Sequence, residues 1–197
     1  MNLQNYYYYF QSALTPRICD DIIAYAKQHK PEMAVTGGIE KENGTSRKKD
    51  GTYKKTTLKK LHVKRKSDIF WLNDTWIYKE LHPYVHQANE KAGWNFEWDW
   101  SESCQFTKYG VGQYYGWHCD SYSEPYQDVP QGMVGKIRKL SVTVSLSDPE
   151  DYEGGDLEFD FRNNHDYDFT KTDNKEICKK AKVRGSIIVF PSFVWHR

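Results

Sequence analysis

The chain has 197 residues, of which 16% are aromatic, including seven Trp and fifteen Tyr. That length supports one domain with a substantial core, and that composition excludes a disordered or low-complexity chain. The net charge of +1 gives no global field for nucleic acid, and no apolar run approaches a membrane span, the longest lying close to Ser186–Phe190.

The N-terminus, MNLQNYYYYF, lacks the basic and apolar regions of a signal peptide. Its tyrosine run, Tyr6 to Phe10, reads as a short strand. "LTPRICDDIIAYAKQH" follows as a helix: Thr15 caps it, Pro16 sits where a missing N–H costs nothing, and Ile18, Ile22, Ile23 and Ala26 recur at helical spacing. Residues 36–60, rich in Gly, Lys and Thr and without a period, read as a loop. The charge is concentrated here. Segment 41–66 holds eleven Lys/Arg against Glu42 and Asp50, a balance of +9 that leaves −8 on the rest. A solvated loop is the common fate of such a run; the alternative is a surface that steers an acidic partner.

A second helical region spans "SDIFWLNDTWIYKELHPYVHQANEKAGW". Asn73 or Asp74 caps it; Ile77, Leu81, Val85, Ala88 and Ala92 form its stripe; Gly93 ends it; and Pro83 is expected to kink or split it. His82 and His86 lie i, i+4 on one face, but without a third ligand nearby they read as helix-surface histidines. From Trp94 onward, "WNFEWDW", "SCQFTKY", "KLSVTVSLSD", "GDLEFDF", "KAKVRGSIIVF" and "FVWHR" are short strand-like runs broken by Gly, Pro, Asp and Asn. The expected fold class is α+β, mainly β. A helical layer over about 11–93 would pack on a sandwich or barrel over about 94–197, as a single domain 1–197 with no linker and no repeat. Cys19, Cys104, Cys119 and Cys178 form no CxxC pair, which suits a reducing compartment, so a soluble cytoplasmic protein is expected.

The stretch "QYYGWHCDSY" carries the chemistry. In an extended strand, residues i and i+2 face the same way, so His118 and Asp120 project together while Cys119 turns away. One imidazole and one carboxylate are two legs of a metal site; a distant second histidine would complete the 2-His-1-carboxylate set of non-haem Fe(II) oxygenases. On its own the three-residue pattern is weak, and a polar strand edge accounts for it equally well.

Its surroundings add specificity. Tyr109, Gly112, Tyr115, His118 and Asp120 spell YxxGxxYxxHxD; Gly154-Gly155-Asp156-Leu157-Glu158-Phe159 follows; then Gly185 leads through Phe190-Pro191-Ser192 to His196. In these motifs the chain resembles the Fe(II)/2-oxoglutarate dioxygenases of the prolyl 4-hydroxylase type, closely over 94–197 and loosely over 10–35. The resemblance implies a double-stranded β-helix, or jelly roll, with His118, Asp120 and His196 as iron ligands. It implies Tyr109 as a hydrogen-bond partner of the cosubstrate, with Tyr115 either lining that pocket or packing in the core. Fe(II), 2-oxoglutarate and O2 are the implied cofactor and cosubstrates, with ascorbate as a stimulant. The implied reaction is hydroxylation of a substrate C–H bond with release of succinate and CO2. A protein or prolyl peptide is the implied partner; nucleic acid is disfavoured and no membrane is involved. Trp117 and Trp195, as strand neighbours of the ligands, should face away from the metal, and Arg138 reads as a solvated strand end.

One family feature is missing. The cation that grips the distal carboxylate of 2-oxoglutarate lies, in the resembled family, about ten residues beyond the distal histidine, whereas this sequence stops at Arg197. A C-terminal strand beyond Arg197 is the first expectation; Lys136, Arg138 and Lys139 are the internal alternatives, and Arg197 itself should point to the opposite face. Three other functions stay open at this point: a catalytically silent jelly-roll metal-binding module, a cupin-like protein using a different metal for isomerase or structural work, and a dioxygenase acting on nucleic acid or a small molecule.

Overall fold

The computed structural model describes residues 5–30, 32–33, 65–121, 124–127, 129, 131–161 and 174–197. The expected loop over 36–60 and all of the basic segment except Arg65 and Lys66 lie outside these. In chain order the first half contains β1 (Tyr8–Phe10), α1 (Pro16–Ala26), β2 (Glu32–Met33), β3 (Arg65–Lys66), β4 (Asp68–Leu72) and α2 (Thr75–Lys91). The second half contains β5 (Cys104–Lys108), β6 (Tyr114–Tyr115), β7 (Leu140–Val144), β8 (Glu158–Asp160), β9 (Lys175–Ile177), β10 (Ile187–Pro191) and β11 (Trp195–His196).

Local chemistry explains the helix ends. Thr15 Oγ1 accepts from the Ile18 N–H at 3.3 Å and Pro16 opens α1. Cys19, Ile22 and Ala26 are the buried stripe. Asp74 is the N-cap residue of α2, but its carboxylate is taken by the Tyr25 hydroxyl of α1, so the cap residue ties the two helices together. Pro83, expected to kink or split α2, lies inside one continuous helix. Both Pro83 and Lys79, whose carbonyl loses its helical donor, are exposed, and Ile77, Val85 and Ala88 hold the helix to the core on either side.

"WNFEWDW" is a second correction: residues 94–100 form no strand. Asn89 explains this. Its carbonyl accepts from the Trp94 and Asn95 N–H groups, and its side chain bonds both the N–H and the C=O of Phe96, at 3.0 and 2.8 Å. With Asn95 at φ 51°, the backbone groups a strand partner would need are already used.

All sheets are antiparallel. One runs β1-β10-β7, a second β11-β8-β9, a third β2-β4-β5, and β3 pairs with β6. β10 is buried along its whole length, as a strand covered on both faces must be. Ile187 and Val189 pack with Leu14, Cys19, Ile22, Val85 and Ala88 of the helical layer. Ile188 and Phe190, on the other face, pack with Phe159 of the second sheet and with Cys178 and Val194, which adjoin its strands β9 and β11. The order is therefore helices, first sheet, second sheet. Among the described residues, β7 pairs only with β10 and β5 only with β4, so each keeps an open edge. Both strands line the broad cleft that holds the site.

Candidate metal centre

The site is made by strand register. The Gly110–Gln113 turn, with Gly112 at φ 68°, reverses the chain after β5 and delivers β6 and the residues behind it to the edge of β11. His118 and His196 are direct cross-strand partners: each N–H donates to the other's carbonyl at 2.9 Å. The Asp120 and Ser121 N–H groups both donate to the Ser192 carbonyl at 2.9 Å, fixing the strand two residues on. Period-two alternation then places His118, Asp120 and His196 on one face, with ligand atoms all within 4.8 Å of one another. Among the described residues no other group of His, Cys, Asp or Glu converges in this way.

The two histidines are held as metal ligands are held. His118 Nδ1 lies 2.8 Å from the Gly116 carbonyl and His196 Nδ1 lies 3.0 Å from the Val194 carbonyl. A carbonyl only accepts, so both Nδ1 atoms carry the proton and both Nε2 atoms present lone pairs. Those Nε2 atoms lie 3.6 and 3.8 Å from the two Asp120 oxygens. Burial, followed by the neighbouring His196, lowers the His118 pKa to about 4, so its lone pair is free at neutral pH. Two imidazoles, each with Nδ1 held by a carbonyl, and one carboxylate on one face of the cleft are a donor set that fits Fe(II) and leaves coordination positions open.

Two serines orient the carboxylate, a role that sequence reasoning missed for both. Ser141 Oγ donates to Asp120 Oδ2 at 2.7 Å. A hydroxyl has one proton, so Ser192 supplies the proton of the 2.9 Å contact between the two hydroxyls. Ser192, in the quoted Phe-Pro-Ser motif, thus binds Asp120 twice, through its carbonyl and through Ser141. Removing Ser141 Oγ by Ser141→Ala is expected to weaken metal binding by about 10- to 100-fold, the usual effect of losing a hydrogen bond to a ligand. Titration of the metal-free protein with Mn(II) by calorimetry reads this directly.

Arg138 is not a solvated strand end. Its Nε and Nη2 grip both oxygens of Glu102 at 2.7 and 2.6 Å, and its Nη1 donates to the Asp120 carbonyl at 3.1 Å. Tyr126 donates to the same Glu102 at 2.9 Å. Burial alone would raise the Glu102 pKa; the Arg138 fork outweighs it and holds the carboxyl below its usual range. Glu102→Gln would leave half the fork unmatched and is expected to cost about 2 kcal/mol, because a partly buried bidentate pair loses its charge complement. Chemical denaturation at pH 7 measures it.

The remaining expected residues fall around this centre. Tyr115 packs on the His118 ring, with centroids 3.5 Å apart and planes 15° apart, so it lines the site. Tyr109 is half-exposed in the same cleft. Trp117 faces away from the ligands and carries Arg197 over its ring at 4.9 Å, while Arg197 also pairs with Glu158 at 2.8 Å. Burial and the Asp120 charge push the Cys119 thiol up to about 11, leaving it unreactive. All four cysteines are free. His82 meets Ser101 at 3.0 Å and His86 packs on Trp98 at 4.6 Å, so the i, i+4 pair serves packing. Lys136 pairs with Asp99. Among the described residues no helix is long and apolar enough to cross a membrane.

Comparison with known proteins agrees with this geometry. A viral collagen prolyl hydroxylase from Paramecium Bursaria Chlorella virus-1, solved as its 2OG complex, superposes with a TM-score of 0.54 at 19% identity, covering 95% of this chain and 78% of that one. A Pseudomonas putida prolyl-4-hydroxylase superposes with a TM-score of 0.56 at 15% identity, covering 98% and 84%. At such identities the likeness is one of fold. A search of curated proteins finds no match. Residues 104–197, which contain every member of the candidate centre, match the 2OG-Fe(II) oxygenase superfamily.

Proposed function

We propose that the chain hydroxylates a C–H bond of a peptidyl side chain, prolyl in type, converting 2-oxoglutarate and O2 to succinate and CO2. The observation that carries this reading is the convergence of His118 Nε2, Asp120 and His196 Nε2 on one face of an open cleft. Bound there, Fe(II) would supply the oxidative chemistry. The protein's own part is positional. The Gly116 and Val194 carbonyls fix the imidazoles, Ser141 fixes the carboxylate, and Arg138 holds the backbone of Asp120. The prolyl preference is supported by the activities of the two superposed hydroxylases.

The architecture is read as a double-stranded β-helix. One face-to-face layer is β1-β10-β7 and the other is β9-β8-β11 with His118 on its edge. A further strand laid between the open edges of β5 and β7 would close it.

The test is Fe(II)-dependent succinate release, with and without a proline-rich peptide, followed by mass spectrometry of the peptide. Succinate together with a peptide heavier by one oxygen atom supports the reading. Metal binding without succinate under either condition would identify a silent metal-binding module instead. Succinate without peptide oxidation would move the search to nucleic acid bases and small molecules.

A further inference from the structure

By sequence Arg65 is one more charge in a basic run, yet the structure buries it, at 5% exposure. Strand register puts it there: β3 pairs with β6 as Arg65↔Tyr115, and a cross-strand pair shares one face of the ladder. The guanidinium lies 4.3 Å over the Tyr115 ring, and Tyr115 stacks on His118 with centroids 3.5 Å apart. Two planar groups do not fit on one face of a ring at these distances, so they occupy opposite faces. Guanidinium, phenol and imidazole form one column that ends on a ligand of the candidate metal centre. Its two contacts leave the guanidinium carbon and the imidazole centre at most about 8 Å apart, within the roughly 8–10 Å over which even solvent-exposed charges still act on one another.

The charge is not cancelled locally. Nε donates to Ser67 Oγ at 3.0 Å and Nη1 donates to Gln105 Oε1 at 3.4 Å, and both acceptors are neutral. The other described arginines each have a carboxylate: Arg17 with Asp21, Arg138 with Glu102, Arg184 with Asp20, Arg197 with Glu158. Among the described residues Arg65 has none. Arg138 is the instructive contrast, because it also reaches the centre, through the Asp120 carbonyl, but Glu102 neutralises it with two hydrogen bonds. Arginine does not shed its proton in proteins, so Arg65 is a permanent, buried positive charge beside the triad. The negative face of the Tyr115 ring favours the cation and keeps it one ring away from the ligands.

Such a charge repels a cation held at the triad in proportion to that cation's own charge. A trivalent ion is disfavoured by one unit more than a divalent ion, so ferrous iron gains on ferric. The same repulsion costs some affinity for any divalent ion. We propose that Arg65, held behind Tyr115, raises the Fe(III)/Fe(II) potential of the centre and so keeps its iron in the ferrous state. This rests on the oxygenase reading above and adds to it a residue that acts through space, touching neither metal nor substrate.

The experiment is a mediated redox titration of the iron-loaded full chain, without 2-oxoglutarate, followed by the electron paramagnetic resonance signal of Fe(III). Arg65→Met is expected to raise the Fe(III):Fe(II) ratio at a fixed solution potential by about tenfold, a fall in midpoint of about 59 mV for one electron. Arg65→Lys keeps the charge and should stay within about threefold of the wild-type ratio. Gln105→Glu keeps the guanidinium and supplies the carboxylate it lacks, so it should shift the ratio in the same direction as Arg65→Met. This variant carries the test if circular dichroism shows Arg65→Met unfolded. Calorimetry with Mn(II) reads the sign a second way. Cancelling the charge tightens Mn(II) binding in Arg65→Met and Gln105→Glu, whereas a purely structural role for Arg65 predicts weaker binding on its removal. A wild-type potential in Gln105→Glu or in folded Arg65→Met overturns the assignment, and so does weakened Mn(II) binding in either. A wild type that retains neither Fe(II) nor Mn(II) overturns the oxygenase reading itself, and this inference with it.

Discussion

Asp120→Ala is expected to abolish both Fe(II) retention and succinate release. Asp120 is the sole carboxylate of the triad, and its two oxygens face one histidine Nε2 each, at 3.6 and 3.8 Å. Without it two imidazoles remain, with no negative charge to offset a divalent ion. The loss of affinity should exceed the roughly 10- to 100-fold that follows from removing a hydrogen-bond partner of a ligand, so Asp120→Ala must lie beyond Ser141→Ala on the same titration. His118→Ala and His196→Ala should follow Asp120→Ala. The fold should survive all three, because His118 and His196 are joined through backbone N–H and C=O groups that alanine keeps. Circular dichroism beside metal titration separates the two properties. Full turnover in any of the three variants would remove the triad assignment.

Gly185→Ala is expected to be the most destabilising Gly→Ala change among the described residues. Gly185 sits just before β10 at φ 75°, and a Cβ there would stand 2.1 Å from the Leu14 carbonyl oxygen. Leu14 cannot retreat cheaply. Its N–H donates to the Gly185 carbonyl at 3.0 Å, the Gly185 N–H donates to Ser145 at 2.7 Å, and the Leu14 side chain is in the core at the start of α1. The left-handed conformation costs a side chain about 1–2 kcal/mol and the overpacking a similar amount, about 3 kcal/mol together. For a chain of this size that is a fall in Tm of roughly 6–12 °C. A melting curve within about 2 °C of wild type would show that the Leu14 segment yields more easily than its hydrogen bonds indicate.

Local pattern made part of the site legible. His118 and Asp120 can be paired from sequence because the strand period is two and needs no distant information. His196 is different. Its place opposite His118 is a matter of register between segments 78 residues apart, and only the family resemblance brought it forward. The serines were visible but mute: nothing local to Ser141 or Ser192 says that they meet at Asp120. Arg65 was misplaced for a physical reason. A run of lysines sets an average, and that average hides a member that belongs to a buried strand. Arg65 and Ser67 are buried with Ile69 between flanking positions of β3 and β4, a period-two signal that begins inside the charged run. Aromatic content misled at Trp94–Trp100, where one asparagine side chain consumed the backbone groups that strand propensity presumes are available. The helices were the most legible elements, since caps and stripes are local, and only the tolerance of Pro83 depended on which side of α2 met solvent.

The pairing of β1 with β10 has a consequence for how the protein is made. Tyr8, Tyr9 and Phe10 lie opposite Val189, Ile188 and Ile187, so a segment made early joins one that is made much later. A ribosome releases the chain from the N-terminus, at about 5–20 residues per second. α1 and α2 can form early, but the surface they cover is completed only after residues 187–191 emerge. Until then the tyrosine-rich β1 is an unpaired apolar strand, exposed for on the order of ten seconds or more at those rates. High contact order of this kind slows folding, which places the period of greatest aggregation risk during synthesis. Lower expression temperature or a chaperone that shelters the nascent N-terminal segment should therefore raise the yield of folded protein more than any change in the purified protein's buffer.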